Sequence, residues 1–328
     1  MPRLIKFGKI LLPMLVSLGA VSCKIGHHER SIGNVAQKST PAPNKLSDSL
    51  QAQLTQIASL ARGRVGVSAI LLESGETLAS LNSRDHFPMQ SVYKLPISMA
   101  VMKQVDERKL TLDQKARIAK EDYAGPAAHS PIRDKYPQGV ELTVNELLRY
   151  ALSESDGTAS DVLMMLAGGS TAVQSYVTNL PVNDLIVLNS EKEFSEDSTL
   201  QYKNYASPES AVALLRALFE RRDLSESSQP LLLKYMTAST PGPKRLKGLL
   251  PAGTLVAHKT GTSGTEKGIT AATNDIGIIT LPNGKHLAVA VFVADSPADE
   301  LTREGVIAKV AKAIYDAASG EVLKRPGE

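Results

Sequence analysis

A serine followed by a lysine three residues later occurs once in this chain, at Ser91 and Lys94. Residues three apart on a helix are neighbours, so the lysine ammonium can reach the serine hydroxyl. A free hydroxyl is a poor nucleophile and needs such a partner. Apolar Leu95, Ile97 and Val101 predict that Ser91 opens a helix, whose unpaired backbone N–H groups can stabilise an oxyanion. The spacing predicts a nucleophilic serine, and a surface serine and lysine on a helix are the alternative.

Two further motifs stand later in the chain. Ser155-Asp156-Gly157 comes first, and His258-Lys259-Thr260-Gly261-Thr262 follows it. Each has an ordinary structural explanation, because a serine can cap a helix, an aspartate can accept backbone N–H groups and a lysine can extend from a strand into solvent. Three motifs in a fixed order are a more specific signal than any one of them alone.

This ordered set resembles the S-x-x-K, S-D-N and K-T-G signature of class A β-lactamases and penicillin-binding proteins. The resemblance extends from about Leu50 to Tyr315, and residues 240–254 and 201–205 are most similar to the PER-type extended-spectrum branch. It implies a serine β-lactamase that hydrolyses penicillins and cephalosporins, with an extended spectrum, through a covalent acyl-serine intermediate.

The resemblance implies a role for each matched catalytic residue. Ser91 would be the acylated nucleophile and Lys94 its general base or proton relay, while Ser155 would carry a proton to the departing lactam nitrogen. Lys259 would lie beside Ser155, ease that transfer and attract the substrate carboxylate. Gly157 replaces the usual asparagine, so an amide that would contact the substrate side chain or Lys94 is missing.

Four further residues are candidates for substrate binding by the same resemblance. Thr260 and Thr262 would line the strand that holds the acyl side chain, and the Thr262 backbone N–H would be the second oxyanion donor. Arg245 matches an arginine that in some class A branches reaches under this strand toward the substrate carboxylate, and a surface arginine on a loop is the alternative. His129 falls where the family has an aromatic residue at the entrance of the site, so we expect it to stack against substrate and not to transfer protons.

In this family a glutamate on an Ω-shaped loop activates the water that releases the acyl group, and the loop should span about residues 188–204. The segment offers three acids, Glu191, Glu193 and Glu196. Class A enzymes have Glu-x-x-Leu-Asn here, and only Glu191 has a large apolar residue, Phe194, at the third following position. We therefore predict that Glu191 is the base, with Ser195 in place of the usual asparagine.

The N-terminus has the pattern of a secretory signal. Basic residues precede an apolar run from Ile10 to Val21 that is too short for a permanent membrane span, so residues 1–23 are predicted to be a signal peptide. Cys23 stands where a lipoprotein signal has its lipid-accepting cysteine, which makes it a candidate lipid anchor. Simple cleavage nearby, leaving a soluble periplasmic protein, is the alternative. Residues 24–46 are polar and predict a flexible tether.

Strand and helix signals divide the rest of the chain into two parts. Residues 47–87 plus 236–320 predict an α/β domain, and residues 88–235 predict an all-α domain that carries Ser91, Ser155 and the Ω-type loop. The fold class is α/β, β-lactamase/transpeptidase-like, with an antiparallel sheet flanked by terminal helices and an all-α insertion. The predicted elements are a helix capped by Ser47, a hairpin of residues 65–72 and 77–81, strands at 254–260, 275–281 and 286–294, and a closing helix at 300–317.

The composition argues against several other functions. The 37 basic and 34 acidic residues give a net charge of +3 without a long basic run, so no nucleic-acid partner is expected. The six histidines lack a metal-ligand spacing and the one cysteine cannot complete a thiolate cage, so no metal or other cofactor is predicted. Nothing requires an oligomer, and we expect a monomer that acts on small-molecule β-lactams.

Two other functions share the serine and lysine chemistry. A D,D-peptidase or penicillin-binding protein of cell-wall synthesis differs in how fast its acyl-enzyme hydrolyses, and the compact length and Glu191 argue against it. A non-hydrolytic β-lactam receptor domain would stay acylated and signal to a partner, and no transmembrane or signalling segment supports it.

Overall fold

In the computed structural model, residues 45–320 are described, and an antiparallel sheet lies at their centre. The strands are β1 (Arg64–Leu71), β2 (Thr77–Leu81), β3 (Phe87–Pro88), β4 (Lys115–Ile118), β5 (Val140–Thr143), β6 (Leu185–Ile186), β7 (Tyr205–Ala206), β8 (Val256–Thr262), β9 (Thr265–Glu266), β10 (Ile269–Thr280) and β11 (His286–Ser296). The order in the central sheet is β2-β1-β11-β10-β8, and β9 pairs with β10.

Helices cover both faces of this sheet. They are α1 (Lys45–Ser59), α2 (Lys94–Asp106), α3 (Pro131–Lys135), α4 (Val144–Ser153), α5 (Gly157–Leu166), α6 (Ser170–Asn179), α7 (Glu191–Glu196), α8 (Pro208–Phe219), α9 (Ser228–Thr237) and α10 (Glu300–Ser319). None of the helices within residues 45–320 has the length and apolar character needed to cross a membrane.

Strand β11 shows how the sheet serves two cores. Side chains alternate between the faces of a strand, and β11 is buried on both. Val289, Val291 and Val293 belong to the core that α1 and α10 cover. Ala290 and Phe292 belong to the larger core, which also contains the apolar sides of α2, α4, α5 and α8. The terminal helices therefore share one face of the sheet, as the sequence predicts.

The predicted hairpin, the three later strands and the closing helix are confirmed, with boundaries that move by a few residues. The first helix begins at Lys45, so Ser47 lies inside it and the prediction that Ser47 caps it is wrong; Lys45 and Leu46 are themselves good helix formers. The region predicted as all-α also contains short strands, β3 to β7. Strands of two to four residues are too short to show an alternation of apolar and polar residues in the sequence.

Ser91 does not open the α-helix directly. It lies in a 3₁₀ turn, Gln90–Tyr93, that leads into α2 at Lys94. Pro96 is the third residue of α2, and proline is tolerated only in the first turn, where its missing N–H has no partner to lose. Because of the proline, α2 has to start only a few residues before Pro96, and it begins at Lys94. The predicted signal peptide and most of the tether lie outside the described residues.

Candidate active site

The segment that carries Ser91 is held by the central sheet. Gln90, immediately before Ser91, has a φ of 49°, so the chain turns sharply there. Asn274 on β10 donates from Nδ2 to the carbonyl oxygens of Pro88 at 2.8 Å and Met89 at 3.2 Å. A left-handed residue of this kind costs about 1–3 kcal/mol and persists only when its surroundings impose it. The backbone before the nucleophile is thus fixed by contacts from a distant strand.

Lys94 is 1 % exposed, and its ammonium contacts three oxygen atoms. Nζ lies 2.8 Å from Ser91 Oγ, 2.7 Å from Glu191 Oε1 and 2.8 Å from the carbonyl oxygen of Ser155. A buried charge is costly without such partners. Helix spacing alone brings Lys94 to Ser91, whereas Glu191 and Ser155 reach it from other elements.

Ser155 lies between α4 and α5 with a φ of 58°, which is uncommon for a residue with a side chain. The next residue, Asp156, caps α5 and accepts a backbone N–H from α3, so it has the structural role considered for it. Lys259 Nζ donates to Ser155 Oγ at 2.8 Å. Burial and the positive charge of Lys94 lower the pKa of Lys259 well below its usual value, which makes its proton easier to give up.

Strand β8 forms one wall of the site. Gly261 allows its close approach, because a Cβ atom at this position would lie 2.2 Å from the carbonyl oxygen of Met89. Thr260 is buried, and Thr262 is exposed at the end of the strand. The absence of a side chain at Gly261 therefore lets β8 lie against the segment that leads into Ser91.

Arg245 is buried under β8, so the alternative of a surface arginine on a loop is wrong. Its NH2 group donates to Thr262 Oγ1 at 2.8 Å, and NH1 donates to the carbonyl oxygens of Gly261 and Asn274 at 3.2 and 3.0 Å. Nε pairs with Glu304 of α10 at 3.1 Å. The planar guanidinium, with five donors, thereby links the closing helix to the end of β8. Glu304 belongs to no motif and was not predicted.

The predicted Ω-type loop is closed at its neck. Strands β6 and β7 pair antiparallel, with Leu185 opposite Ala206, so the chain leaves and returns at one place. Asn204 Oδ1 accepts the backbone N–H groups of Leu188 at 2.8 Å and Asn189 at 2.9 Å, and its Nδ2 donates to the Asn189 carbonyl oxygen at 2.7 Å. Helix α7 lies inside this closed loop.

Glu191 is the first residue of α7 and reaches the nucleophile. Its Oε1 atom accepts from Ser91 Oγ at 3.4 Å and lies 2.7 Å from Lys94 Nζ. Burial raises the pKa of Glu191, but the charge and hydrogen bond of Lys94 outweigh burial and hold the pKa below its usual value. The carboxylate is therefore ionised and able to accept a proton.

The two other acids of the loop do not reach the nucleophile. Glu193 accepts from the Ser190 backbone N–H at 2.8 Å and from its hydroxyl at 3.0 Å, which caps α7. Glu196 is exposed. Phe194 anchors the loop as expected, because its ring packs edge-on against Tyr93 with the ring centres 5.9 Å apart.

Asp161 on α5 is a residue of the site that sequence reasoning missed. Its carboxylate accepts the backbone N–H groups of Glu191 at 2.8 Å and Lys192 at 2.9 Å, which fastens the first turn of α7 to α5. Ser195 adds a hydrogen bond from its Oγ to the Glu191 carbonyl oxygen at 3.0 Å. Burial raises the pKa of Asp161 to about 7. The only signal in the sequence was an acid at the start of an apolar helical run.

Ser91 and Ser155 open onto a cleft of about 370 Å³, a size that suits a small molecule. The cleft is lined by Ser91, His129, Ser155, Thr240, Pro241, Thr260 and Thr262. His129 is held by a 3.0 Å hydrogen bond between its Nε2 and the carbonyl oxygen of Glu154. Thr240 and Pro241 were not predicted as site residues. Among residues 45–320, no group of three or more His, Cys, Asp or Glu side chains could hold a metal ion.

The serine, its adjacent lysine and the second lysine, set between an antiparallel sheet and a helical region, define a class of active-site serine enzymes with the β-lactamase/transpeptidase-like fold. The chain belongs to the β-lactamase enzyme family, whose sequence profile matches residues 49–318. It is 38 % identical to β-lactamase VEB-1 of Pseudomonas aeruginosa over 83 % of this chain and 91 % of the relative. It is 43 % identical to the extended-spectrum β-lactamase PER-1 of the same species, over 79 % and 85 %.

Solved structures agree with this assignment. The crystal structure of a β-lactamase from Chitinophaga pinensis has a TM-score of 0.80 and 45 % sequence identity, with 84 % of this chain and 100 % of that chain covered. The TLA-1 extended-spectrum β-lactamase has a TM-score of 0.80 at 40 % identity, over 83 % and 99 %. A representative class A β-lactamase from Bacteroides cellulosilyticus has a TM-score of 0.77 at 32 % identity, over 83 % and 99 %. The predicted family and fold class are confirmed.

Proposed function

We propose that this class A serine β-lactamase opens β-lactam rings through an acyl-enzyme on Ser91 and releases the product with water activated by Glu191. The proposal depends above all on one observation: the Lys94 ammonium lies within 2.8 Å of Ser91 Oγ and within 2.7 Å of Glu191 Oε1. One lysine therefore connects the nucleophile to a carboxylate that can store its proton.

In acylation, Ser91 Oγ attacks the lactam carbonyl carbon as its proton passes through Lys94 to Glu191. The carbon–nitrogen bond of the ring then breaks, and Ser155 donates its hydroxyl proton to the departing nitrogen. Lys259 restores the Ser155 proton across their 2.8 Å contact, and its lowered pKa favours that transfer. Before deacylation Glu191 releases its stored proton to solvent and Lys259 regains one from solvent, so the carboxylate is ionised again. The oxyanion is stabilised by the backbone N–H groups of Ser91 and Thr262.

In deacylation, Glu191 accepts a proton from water as the water oxygen attacks the acyl carbon. The tetrahedral intermediate collapses, the bond to Ser91 Oγ breaks, and the proton returns through Glu191 and Lys94 to the serine. A water molecule between Glu191 and the ester can serve this step because the carboxylate is ionised and already lies 3.4 Å from Ser91 Oγ.

Substrate binding is assigned to the opposite wall of the cleft. Lys259 and Arg245 attract the substrate carboxylate, and Thr260 and Thr262 line the strand that holds the acyl side chain. His129 stacks against substrate at the entrance of the cleft. We infer an extended spectrum that includes penicillins and cephalosporins, supported by the similarity to relatives named extended-spectrum β-lactamases.

Two rival activities are less well supported. Neither a D,D-peptidase or penicillin-binding protein nor a non-hydrolytic receptor requires a base that deacylates the enzyme rapidly. Here an ionised glutamate lies against the nucleophile on a loop with a hydrogen-bonded neck. That arrangement favours turnover over stable acylation.

We further propose that the enzyme is exported to the periplasm as a monomer by a signal within residues 1–23, and that cleavage just before Cys23 leaves this cysteine as a lipid anchor. Because helix α1 begins at Lys45, the predicted tether of residues 24–46 is proposed to end at residue 44; the α/β domain and the mainly helical domain are proposed with the boundaries predicted from the sequence. The pattern of basic, apolar and small residues supports export. Metabolic labelling with a radioactive fatty acid tests the anchor, and label retained by the Cys23→Ser variant would refute it.

The experiment that tests the proposed reaction compares Ser91→Ala with Ser98→Ala. Both replace a serine in the same stretch of chain, but Ser98 Oγ donates only to the Lys94 carbonyl oxygen. We expect Ser91→Ala to lose hydrolysis of a chromogenic cephalosporin and to show no mass increase with a β-lactam. Ser98→Ala should retain both. Covalent labelling of Ser91→Ala would refute the nucleophile.

A further inference from the structure

The Tyr93 hydroxyl is an unexplained polar group beside the catalytic base. Tyr93 is fully buried, and among the described residues its hydroxyl makes no hydrogen bond of ordinary geometry. A buried hydroxyl without a partner is destabilising, so a partner for this group is expected close by. The ring itself is well placed, because it packs edge-on against Phe194 of α7.

The surroundings of this hydroxyl identify its partners. Glu191 and Asp161 bring negative charge toward it, and burial together with these charges raises the pKa of Tyr93 far above its usual value. The phenol is therefore a donor throughout the pH range in which the enzyme works. Ser160 Oγ, another neighbour of this hydroxyl, is also buried and also has no hydrogen-bond partner among the described residues.

The contacts of the Glu191 carboxylate leave room for another donor. The hydrogen bond from Ser91 Oγ and the ion pair with Lys94 both involve Oε1. The backbone of Glu191 is held by Asp161, but that contact does not restrain the carboxylate itself. A carboxylate can accept about four hydrogen bonds, so one more donor fits its chemistry.

We propose that Tyr93 is a positioning residue for the base: its hydroxyl donates to the Glu191 carboxylate, and Ser160 donates in turn to the Tyr93 oxygen. This chain of two hydroxyls holds the carboxylate while Lys94 gains and loses its proton. It also favours the ionised form that deacylation requires, because a hydrogen bond to a carboxylate stabilises its charge. The inference rests on the proposed role of Glu191.

Four charged groups face this cluster, each from a different element. They are Lys94 on α2, Asp161 on α5, Glu191 on α7 and Lys259 on β8. Tyr93→Phe changes none of these charges and keeps the ring contact with Phe194. The substitution therefore removes only the donor.

The test is the pH dependence of kcat for Tyr93→Phe with a chromogenic cephalosporin. Loss of a donor raises the pKa of the base, so the acidic limb should move to higher pH by about half to one unit. On this limb, at a pH below the pKa of the base, kcat should fall roughly three- to tenfold with KM little changed, and acyl-enzyme should accumulate. Ser160→Ala should move the limb in the same direction by less.

Tyr176→Phe is the matched control. Tyr176 is also buried with an unpartnered hydroxyl, but the charges near it belong to Asp106 and Asp223. The acidic limb of the kcat profile of Tyr176→Phe should coincide with that of the wild type. An unmoved limb in folded Tyr93→Phe, or an equal shift in Tyr176→Phe, overturns the inference. If Tyr93→Phe does not fold, Ser160→Ala decides alone, and a wild-type limb there overturns it.

The outcomes separate this inference from the proposed function. Hydrolysis by Ser91→Ala, or wild-type turnover by Glu191→Gln, would remove the reaction on which the inference rests. If those two variants behave as proposed and only the Tyr93→Phe profile is unchanged, the hydrolytic mechanism stands and the positioning role of Tyr93 falls.

Discussion

The two buried lysines of the site, Lys94 and Lys259, lie in different electrostatic surroundings. Lys94 has a carboxylate at 2.7 Å, whereas Lys259 has a hydroxyl and a carbonyl oxygen at 2.8 and 3.0 Å. A nearby carboxylate favours the charged form of a lysine, and burial without one disfavours it. Lys259, whose pKa is lowered by burial and by Lys94, is thus suited to resupply a proton to Ser155.

The first prediction concerns Glu191→Gln. The amide keeps the shape of the side chain but cannot take a proton from water, so turnover should fall by about 10²–10⁴-fold, typical of the loss of a general base. Acyl-enzyme on Ser91 should accumulate and be visible by mass spectrometry after mixing with a cephalosporin. Acylation should slow much less, because Lys94 lies 2.8 Å from Ser91 Oγ and can still accept its proton.

Glu193→Gln is the control for this variant. A glutamine at the third helical position still closes the cap with Ser190, so turnover should remain near that of the wild type. Wild-type turnover in Glu191→Gln would move the base to another acid of the loop. Failure of Glu191→Gln to acylate at all would mean that Lys94 cannot take the Ser91 proton without the glutamate.

The second prediction concerns Gly157, where the family usually has asparagine. A Cβ atom at this position would lie 3.2 Å from Glu191 Cγ and 3.3 Å from the carbonyl oxygen of His129, which is tighter than ordinary contact. Gly157→Ala should therefore displace the base and lower kcat by about tenfold, through slower deacylation. Pre-steady-state mixing that resolves acylation from deacylation measures the effect.

Gly305→Ala is the matched control. Gly305 lies within α10, and a Cβ atom there would meet nothing within 4 Å. An alanine in a helix interior is favoured over glycine by about 0.5–1 kcal/mol, so this variant should gain stability with unchanged kinetics. Unchanged deacylation in Gly157→Ala would show that Glu191 can move aside without loss.

At the scale of elements, the Ω-type loop is attached at two places. Asn204 closes its neck, and Asp161 fastens the first turn of α7 to α5. The helix α7 has only six residues and could not hold its shape alone, because helix formation has a costly nucleus. The position of Glu191 therefore depends on these side-chain contacts and on the packing of Phe194.

The third prediction follows from the pKa of Asp161, which burial raises to about 7 from a usual value of 3.8. Between these two values the folded protein holds a proton that the unfolded chain has lost, so the free energy of unfolding should fall as pH rises through 7. Asp161→Asn removes this titration. Its free energy of unfolding in urea should therefore decrease less between pH 6 and 8.5 than that of the wild type.

Asp299→Asn provides the comparison. Asp299 caps α10 through the Thr302 N–H, and its pKa is lowered by that side chain and its backbone, so it is ionised in both states above pH 6. The slope of stability against pH over this range should match that of the wild type. Equal slopes for Asp161→Asn and the wild type would contradict the role of Asp161 as a titrating anchor.

At the scale of the whole molecule, the central sheet joins two cores. Phe292 on β11 is fully buried in the larger one, where its ring stacks on Phe87 with the centres 5.7 Å apart. The neighbouring Val291 and Val293 face the terminal helices. Substitutions on β11 can therefore affect the packing on both sides of the sheet.

The fourth prediction is that Phe292→Ala lowers the free energy of unfolding by about 3–5 kcal/mol, from lost burial and the cavity left behind. Urea unfolding followed by circular dichroism measures it. Leu301→Ala, at a position 67 % exposed, should change stability by less than about 0.5 kcal/mol. Similar losses in both variants would contradict the assignment of Phe292 to the core.

The sequence by itself determined what depends on local spacing. Ser91 and Lys94 are one turn apart, so their contact follows from helix geometry. Alternating and helical apolar patterns predicted the sheet strands and terminal helices, because burial of one face imposes a period on the chain. The order of three motifs indicated the family, and the position of Phe194 distinguished Glu191 from the two other acids of its loop.

Only the tertiary structure decided which distant groups meet. Glu191 reaches Ser91 and Lys94 from about a hundred residues away. Asp161 contacts the first turn of α7, and Arg245 pairs with Glu304, a residue that belongs to no motif. Sequence periodicity indicates which face of an element is buried but not which polar groups from other elements that face will meet. The depth of Arg245 and the contacts of Asp161 follow from the packing of whole elements, because buried polar groups must find partners wherever the fold brings them.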